Sequence, residues 1–215
     1  MKDTRFKGDK ELRFTRSYIN PLKIKEKNDM KINNTDEFNC KIKQILISEE
    51  EIQNAIKQTA KMIDSFYDGT PILLVSILKG SFVFLADLCR QVTVPCEIGF
   101  MAAKSYYEAT QSSGIVKITM DLQQDISDYH VIIVEDIIDT GRTLNDVVKL
   151  LKSRKPVSLR VITLLDKPDR RIVDFQADYV LFTIPDLFVI GYGLDYGEYY
   201  RNLPYIAEFR QSVED

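Results

Sequence analysis

The sequence predicts an α/β domain built on a central, mostly parallel sheet flanked by helices. Short apolar runs such as "PILLVSIL" (71–78) and "HVIIVED" (130–136) have the near-continuous hydrophobicity of strands buried on both faces. Segments of helical period lie between several of these runs, which implies parallel neighbours joined by right-handed crossovers. Three runs also end in polar clusters: Lys79-Gly80, Glu135-Asp136 with Asp139-Thr140-Gly141, and Asp166-Lys167. Open parallel sheets bind ligands at the carboxyl ends of their strands, so the coincidence of the three marks the place to look for a site.

Residues 1–39 are lysine-rich with scattered apolar residues and no steady period. They read as a poorly ordered N-terminal extension, with Met30 as the expected natural start. From Ile45 the pattern becomes regular. Ser48 and Glu51 form a capping-box pair, Ile52, Ile56, Ile63 and Phe66 recur at helical spacing, and Asp68-Gly69 stops the helix. A strand over 71–78 follows, then a helix over "KGSFVFLADLCRQ" and a strand over "VPCEIGFMAAKSY". Residues 105–114 break the pattern with small polar residues and read as a long mobile loop, the length and setting of a lid. "IVKITM" resumes as a strand. "HVIIVED" is the central strand, with a helix over 143–155 behind it. "SLRVITLLDK", "ADYVLFTI" and "FVIGYG" are the remaining strands, the last one short.

Composition narrows the functional classes. A formal net charge of −3 argues against a general nucleic-acid binder but leaves room for a local anion site. Cys40, Cys89 and Cys96 form no CxxC pair, and with His130 as the one histidine no zinc set can be assembled. A reduced cytoplasmic setting fits three unpaired thiols, and no apolar stretch approaches the ~20 residues of a membrane span.

The richest segment is "VIIVEDIIDTGRTL" (131–144). Thr140-Gly141-Arg142-Thr143 lies between a strand end and a helix start. Gly141 can adopt backbone shapes closed to other residues, consecutive amides there can form a concave nest, and the helix N-terminus adds partial positive charge. Together they make a phosphate cradle without lysine. Carboxylates would repel that phosphate unless they faced something else. Glu135 and Asp136 can accept from vicinal hydroxyls, or help hold a magnesium ion that does so. A phosphate on one side and a diol on the other describe a ribose 5-phosphate. Rival motifs fail: the string GxxxxGK(S/T) is absent, and Tyr196 stands where a GxGxxG beginning at Gly191 needs its third glycine.

This string resembles the phosphoribosyl diphosphate binding motif of the type I phosphoribosyltransferases, and in its EDIIDTG form that of the hypoxanthine-guanine phosphoribosyltransferase family. "SILKGSFVFLADL", "KSYYEATQSSG", "LLDKPDRR" and "PDLFVIGYGLDYGEYYRNLPYI" extend the similarity, in family order, over about residues 42–212. The resemblance implies a type I phosphoribosyltransferase fold over 40–215, with a small hood subdomain that includes C-terminal elements. It implies transfer of phosphoribosyl from 5-phosphoribosyl 1-diphosphate to hypoxanthine or guanine, in purine salvage.

Roles carry over residue by residue. Glu135 and Asp136 would face the ribose hydroxyls, and Asp139, Thr140, Gly141, Arg142 and Thr143 the 5-phosphate. Asp139 would also be the general base on the purine nitrogen. Lys79, after a cis peptide, would bind pyrophosphate with Gly80 and Arg201. Ser105 and Tyr106 would belong to the lid, where Ser112-Ser113-Gly114 replaces the family's Ser-Thr-Gly. Lys167 would donate to the 6-oxo group, Phe188 would stack on the base, and the Val189 backbone would read its edge. Glu135, Asp136 and Asp195 would hold Mg2+, with Asp195 also near the purine. A homodimer or homotetramer is implied, with no membrane or nucleic-acid partner. A xanthine-preferring transferase and a nucleic-acid-binding regulator that senses phosphoribosyl diphosphate are the alternatives at this point.

Overall fold

The computed structural model describes residues 41–106 and 115–210. The extension predicted over 1–39, the lid residues 107–114 and the last five residues lie outside the described residues. In chain order the elements are β1 (Ile42–Ile47), α1 (Glu49–Tyr67), β2 (Ile72–Leu78), α2 (Phe82–Gln91), β3 (Cys96–Tyr106) and β4 (Ile115–Met120). They continue with β5 (His130–Ile138), α3 (Arg142–Ser153), β6 (Ser158–Asp166), β7 (Tyr179–Thr183), β8 (Val189–Ile190) and β9 (Ile206–Phe209).

Six strands form the main sheet in the order β4-β3-β2-β5-β6-β7, all parallel except β4, which runs antiparallel to β3. Side chains alternate across β2 and β5, so each strand feeds two cores. Leu74, Ile132 and Val134 join one cluster with Ile56, Ile63 and Leu88 of α1 and α2. Leu73, Val75, Val131 and Ile133 join the other with Leu144, Val147 and Leu151 of α3. This double burial is why both strands read as near-continuous apolar runs.

The helices form where their sequences dictate. In α1, Ile52, Ala55, Ile56, Ala60 and Ile63 bury one stripe. The Ser48 amide donates to Glu51 Oε2 at 2.9 Å, the Glu51 amide donates to Ser48 Oγ at 3.3 Å, and the helix ends at Asp68 in a left-handed conformation.

A second sheet of three antiparallel strands, β1-β9-β8, forms the hood. Its own core joins Ile190, Tyr200, Tyr205, Ala207 and Phe209. Three expectations change here. The "FVIGYG" segment does not extend the parallel sheet; Val189 and Ile190 pair with β9 instead. β5 runs two residues beyond the predicted strand, to Ile138. β3 runs to Tyr106, as the strand read over "VPCEIGFMAAKSY" has it, so the first two residues of the loop expected over 105–114 are strand, paired with β4.

Candidate active site

The main sheet reverses its winding between β2 and β5: β2 leads outward to β3, and β5 leads the other way to β6. That is the switch point at which parallel sheets leave a crevice. The carboxyl ends of β2, β5 and β6 stand side by side there and carry Lys79-Gly80, the segment from Glu135 to Thr143, and Lys167.

Glu135 and Asp136 are half-buried at the carboxyl end of β5. Glu135 Oε2 is buried and has no hydrogen-bond partner. Burial, reinforced by the adjacent Asp136, pushes its carboxyl well above the usual carboxylate range. Asp136 is raised to about 6, chiefly by burial, although the Ile137 amide donating to its Oδ1 at 2.8 Å works the other way. A Cβ on Gly80 would lie 1.5 Å from Asp136 Oδ2, so any larger residue would push the Asp136 carboxylate aside. Buried carboxyls short of donors are poised to accept from a ligand's hydroxyls or to meet a cation.

After β5 the chain turns at Gly141, whose φ of 81° admits glycine best, and α3 begins at Arg142 with no side-chain cap. The Thr140 hydroxyl accepts weakly from the Arg142 amide at 3.5 Å. Arg171 braces this bend, donating to the Asp139 carbonyl at 3.0 Å and pairing with Asp166. The Ile172 amide donates to the Thr140 carbonyl at 3.2 Å. The cradle is thereby fixed from the segment that follows β6.

On the β2 side, the peptide between Leu78 and Lys79 is cis. Lys79 Nζ lies 3.0 Å from Glu198 Oε2, and Arg201 Nη2 lies 3.1 Å from the same oxygen. Arg201 also meets Asp195 Oδ1 at 2.9 Å and donates to the Gly193 carbonyl at 2.8 Å. Gly193, at φ 98°, lies so close to the Gly80 carbonyl that a Cβ would approach it to 2.0 Å. The hood loop thus rests directly on the turn after β2.

Between sheet and hood lies a cavity of about 570 Å3, lined by Asp139, Lys167, Asp186, Phe188 and other polar groups. Lys167 is almost fully buried. Burial lowers its pKa, while Asp139 and Asp186 oppose that shift. Phe188 is 39% exposed and sits in edge contact with Tyr196 at 5.9 Å between centroids. Val189 is buried on β8 opposite Glu208.

Several cavity residues have no counterpart in the sequence reading. Arg170 donates to Asp139 Oδ1 at 2.9 Å and to Asp186 Oδ2 at 3.4 Å. Lys43 and Gln44 of β1 hold Glu208 of β9 at 3.0 and 2.7 Å, and Lys43, Glu208, Phe209 and Arg210 close the cavity from the hood. "LLDKPDRR" contains Arg170, but nothing in its spacing shows which acid it meets.

The sequence-derived residues therefore fall into three adjoining groups: Glu135 and Asp136 with the 139–143 bend, Lys79 and Gly80 with Arg201 and Asp195, and Lys167 with Phe188, Val189 and the Asp139 side chain. Ser105 and Tyr106 end β3, and the rest of the lid lies outside the described residues. Among the described residues no three acidic, histidine or cysteine side chains gather tightly enough to hold a metal alone. Mg2+ commonly takes one or two carboxylates and completes its shell with water and substrate oxygens, so the donors present suit it as a substrate-shared ion.

A parallel sheet with this acidic pair at its switch point, a glycine-capped helix beside it and a separate hood defines a phosphoribosyltransferase. Residues 41–197 match the phosphoribosyl transferase domain family. A curated hypoxanthine-guanine phosphoribosyltransferase of Streptococcus pneumoniae is 47% identical over 172 residues, covering 80% of this chain and 96% of the relative; one from Staphylococcus aureus gives the same figures. The crystal structure of a hypoxanthine phosphoribosyltransferase from Staphylococcus aureus superposes with a TM-score of 0.80 at 45% identity, over 86% of this chain and all of that one. A point mutant of the Trypanosoma cruzi hypoxanthine phosphoribosyltransferase, in a ternary complex with substrates, gives 0.76 at 44% identity, over 81% and 98% of the two chains. The chain belongs to the hypoxanthine-guanine phosphoribosyltransferase family.

Proposed function

We propose that the protein moves phosphoribosyl from 5-phosphoribosyl 1-diphosphate to hypoxanthine or guanine, giving IMP or GMP and pyrophosphate in purine salvage. The observation that carries this is the placing of Asp139, Lys167 and Phe188 on the wall of one cavity, with Asp139 also opening the glycine bend. Base and 5-phosphate can thus be gripped from the two sides of a single aspartate.

The 139–143 bend takes the 5-phosphate and the Glu135–Asp136 pair accepts from the ribose hydroxyls. Lys79 and Arg201 neutralise the pyrophosphate as it departs. A purine ring nitrogen bonds to C1 of the sugar while the C1–O bond to pyrophosphate breaks, and the proton from that nitrogen goes to Asp139. Lys167 donates to the 6-oxo group. A 6-amino group could not accept there, so adenine is disfavoured. Ser105 and Tyr106 belong to the lid that excludes water. Mg2+, held by Glu135, Asp136 and Asp195 directly or through water, would offset charge on the diphosphate.

An apolar face supports a homodimer or homotetramer. Ile98 and Phe100 of β3 and Met120 of β4 point to one side of the sheet and are 40, 43 and 40% exposed. Cys89 and Cys96 are free thiols, as a reducing cytoplasm would keep them. Among the described residues no helix is long and apolar enough to cross a membrane.

The test is nucleotide formation from phosphoribosyl diphosphate, Mg2+ and each base in turn. IMP and GMP are expected and AMP is not. Production of XMP alone would move the assignment to xanthine. Release of no pyrophosphate with any base, alongside salt-sensitive RNA or DNA binding, would replace the enzyme with a regulator.

A further inference from the structure

We infer that Glu198 is a built-in competitor for the pyrophosphate site: its carboxylate engages the two cations that the diphosphate must take. One oxygen, Oε2, lies 3.0 Å from Lys79 Nζ and 3.1 Å from Arg201 Nη2, so a single anion already bridges β2's turn and the hood. The two cations come from positions 122 residues apart in the chain, and Glu198 is the acid that both reach. The inference rests on the pyrophosphate role proposed above for Lys79 and Arg201, and it adds a residue that sets the affinity of that site.

The backbone presents Glu198 deliberately. Its φ is 72°, a left-handed conformation uncommon for glutamate, and its amide donates to Asp195 Oδ2 at 2.9 Å. Asp195 uses its other oxygen on Arg201 at 2.9 Å. Asp195 therefore aligns both the competitor and one of its cations. Glu198 and Lys79 are about two-thirds exposed, whereas the Arg201 side chain is only 19% exposed. Exposed ion pairs of this kind are weak, so a multiply charged diphosphate can displace the carboxylate into solvent. The carboxylate cannot remain beside the arriving anion, because like charges at that range repel. Glu198 thus screens Lys79 and Arg201 from one another and lowers the affinity for whatever anion takes its place.

The experiment is titration of inorganic pyrophosphate with Mg2+ into the parent protein, Glu198→Gln and Glu198→Asp, with steady-state KM values alongside. Glu198→Gln should bind pyrophosphate roughly threefold tighter, the size of effect an exposed pair supports, and lower the KM for phosphoribosyl diphosphate similarly. The KM for the purine should not move. Glu198→Asp, too short to reach both cations, should resemble the glutamine variant. In a Lys79→Met background the gain from Glu198→Gln should shrink. Unchanged or weaker pyrophosphate binding in Glu198→Gln would overturn the inference and make the residue a scaffold for the cations. Failure of the parent to bind pyrophosphate at all, or of Lys79→Met to weaken it, would instead strike the underlying assignment of the site.

Discussion

Asp136, proposed above to face the ribose hydroxyls, works against its own fold. Its carboxyl ionises near 6 in the folded protein against 3.8 for the free group, chiefly because burial disfavours the charge. Between those values the folded state holds a proton that the unfolded state has lost, so stability falls as pH rises through the window. Asp136→Asn removes the charge. It should stabilise the protein on the order of 2 kcal/mol above pH 6, with the advantage vanishing below pH 4, while abolishing activity. Thermal melts at pH 4 and pH 7.5 check the sign. Lys167 makes a second prediction. Lys167→Ala should raise the KM for 6-oxopurines about tenfold or more and leave the KM for phosphoribosyl diphosphate unchanged, because Lys167 lines the cavity with Asp139 and Phe188, proposed above for the purine, and does not pair with Glu198 as Lys79 and Arg201 do. Asp139→Asn should lower turnover about a hundredfold with a smaller change in KM, as loss of a general base does. Glu135, Asp136 and the glycine bend were legible because they share one contiguous string. The partnership of Arg170 with Asp139 and Asp186 was not, since it depends on how two loops fold toward each other across 31 and 16 residues.

The elements divide along the same line. β2, β5 and β6 announced themselves because burial on both faces leaves few polar interruptions, and α1 because its stripe and capping box are local. β1 and β9 gave no such signal. β9 has four residues, β1 mixes Lys43 and Gln44 into its apolar residues, and β1 is a strand because β9 lies beside it, 165 residues away at Lys43 and Glu208. β8, at two residues, reads as a strand of the main sheet for the same reason, although it pairs in the hood. The prediction proper to this scale concerns the contact between hood loop and β2 turn. Gly193→Ala would bring a Cβ within 2.0 Å of the Gly80 carbonyl at a φ of 98°. Displacing that loop should lower kcat/KM for phosphoribosyl diphosphate about a hundredfold with secondary structure intact, measured by steady-state kinetics and circular dichroism.

The whole molecule places its candidate site between two bodies: the six-stranded sheet carries Lys79, Glu135, Asp136 and the glycine bend at its strand ends, and the three-stranded sheet closes the cavity from the other side. The resemblance told of a hood, but the sequence could not say which strands build it. If the face bearing Ile98, Phe100 and Met120 meets a second copy, Phe100→Glu should lower the mass in solution, read by light scattering after size exclusion, while the isolated subunit keeps its fold. Finally, Ile42 pairs with Phe209, and the Arg210 amide donates to the Lys41 carbonyl at 2.8 Å. The first and last described strands therefore lie shoulder to shoulder, and a short tether could splice one to the other. A circular permutant joined there and reopened between Lys155 and Pro156, in the surface turn before β6, should still assemble, because that order of the chain asks no strand to change its neighbour.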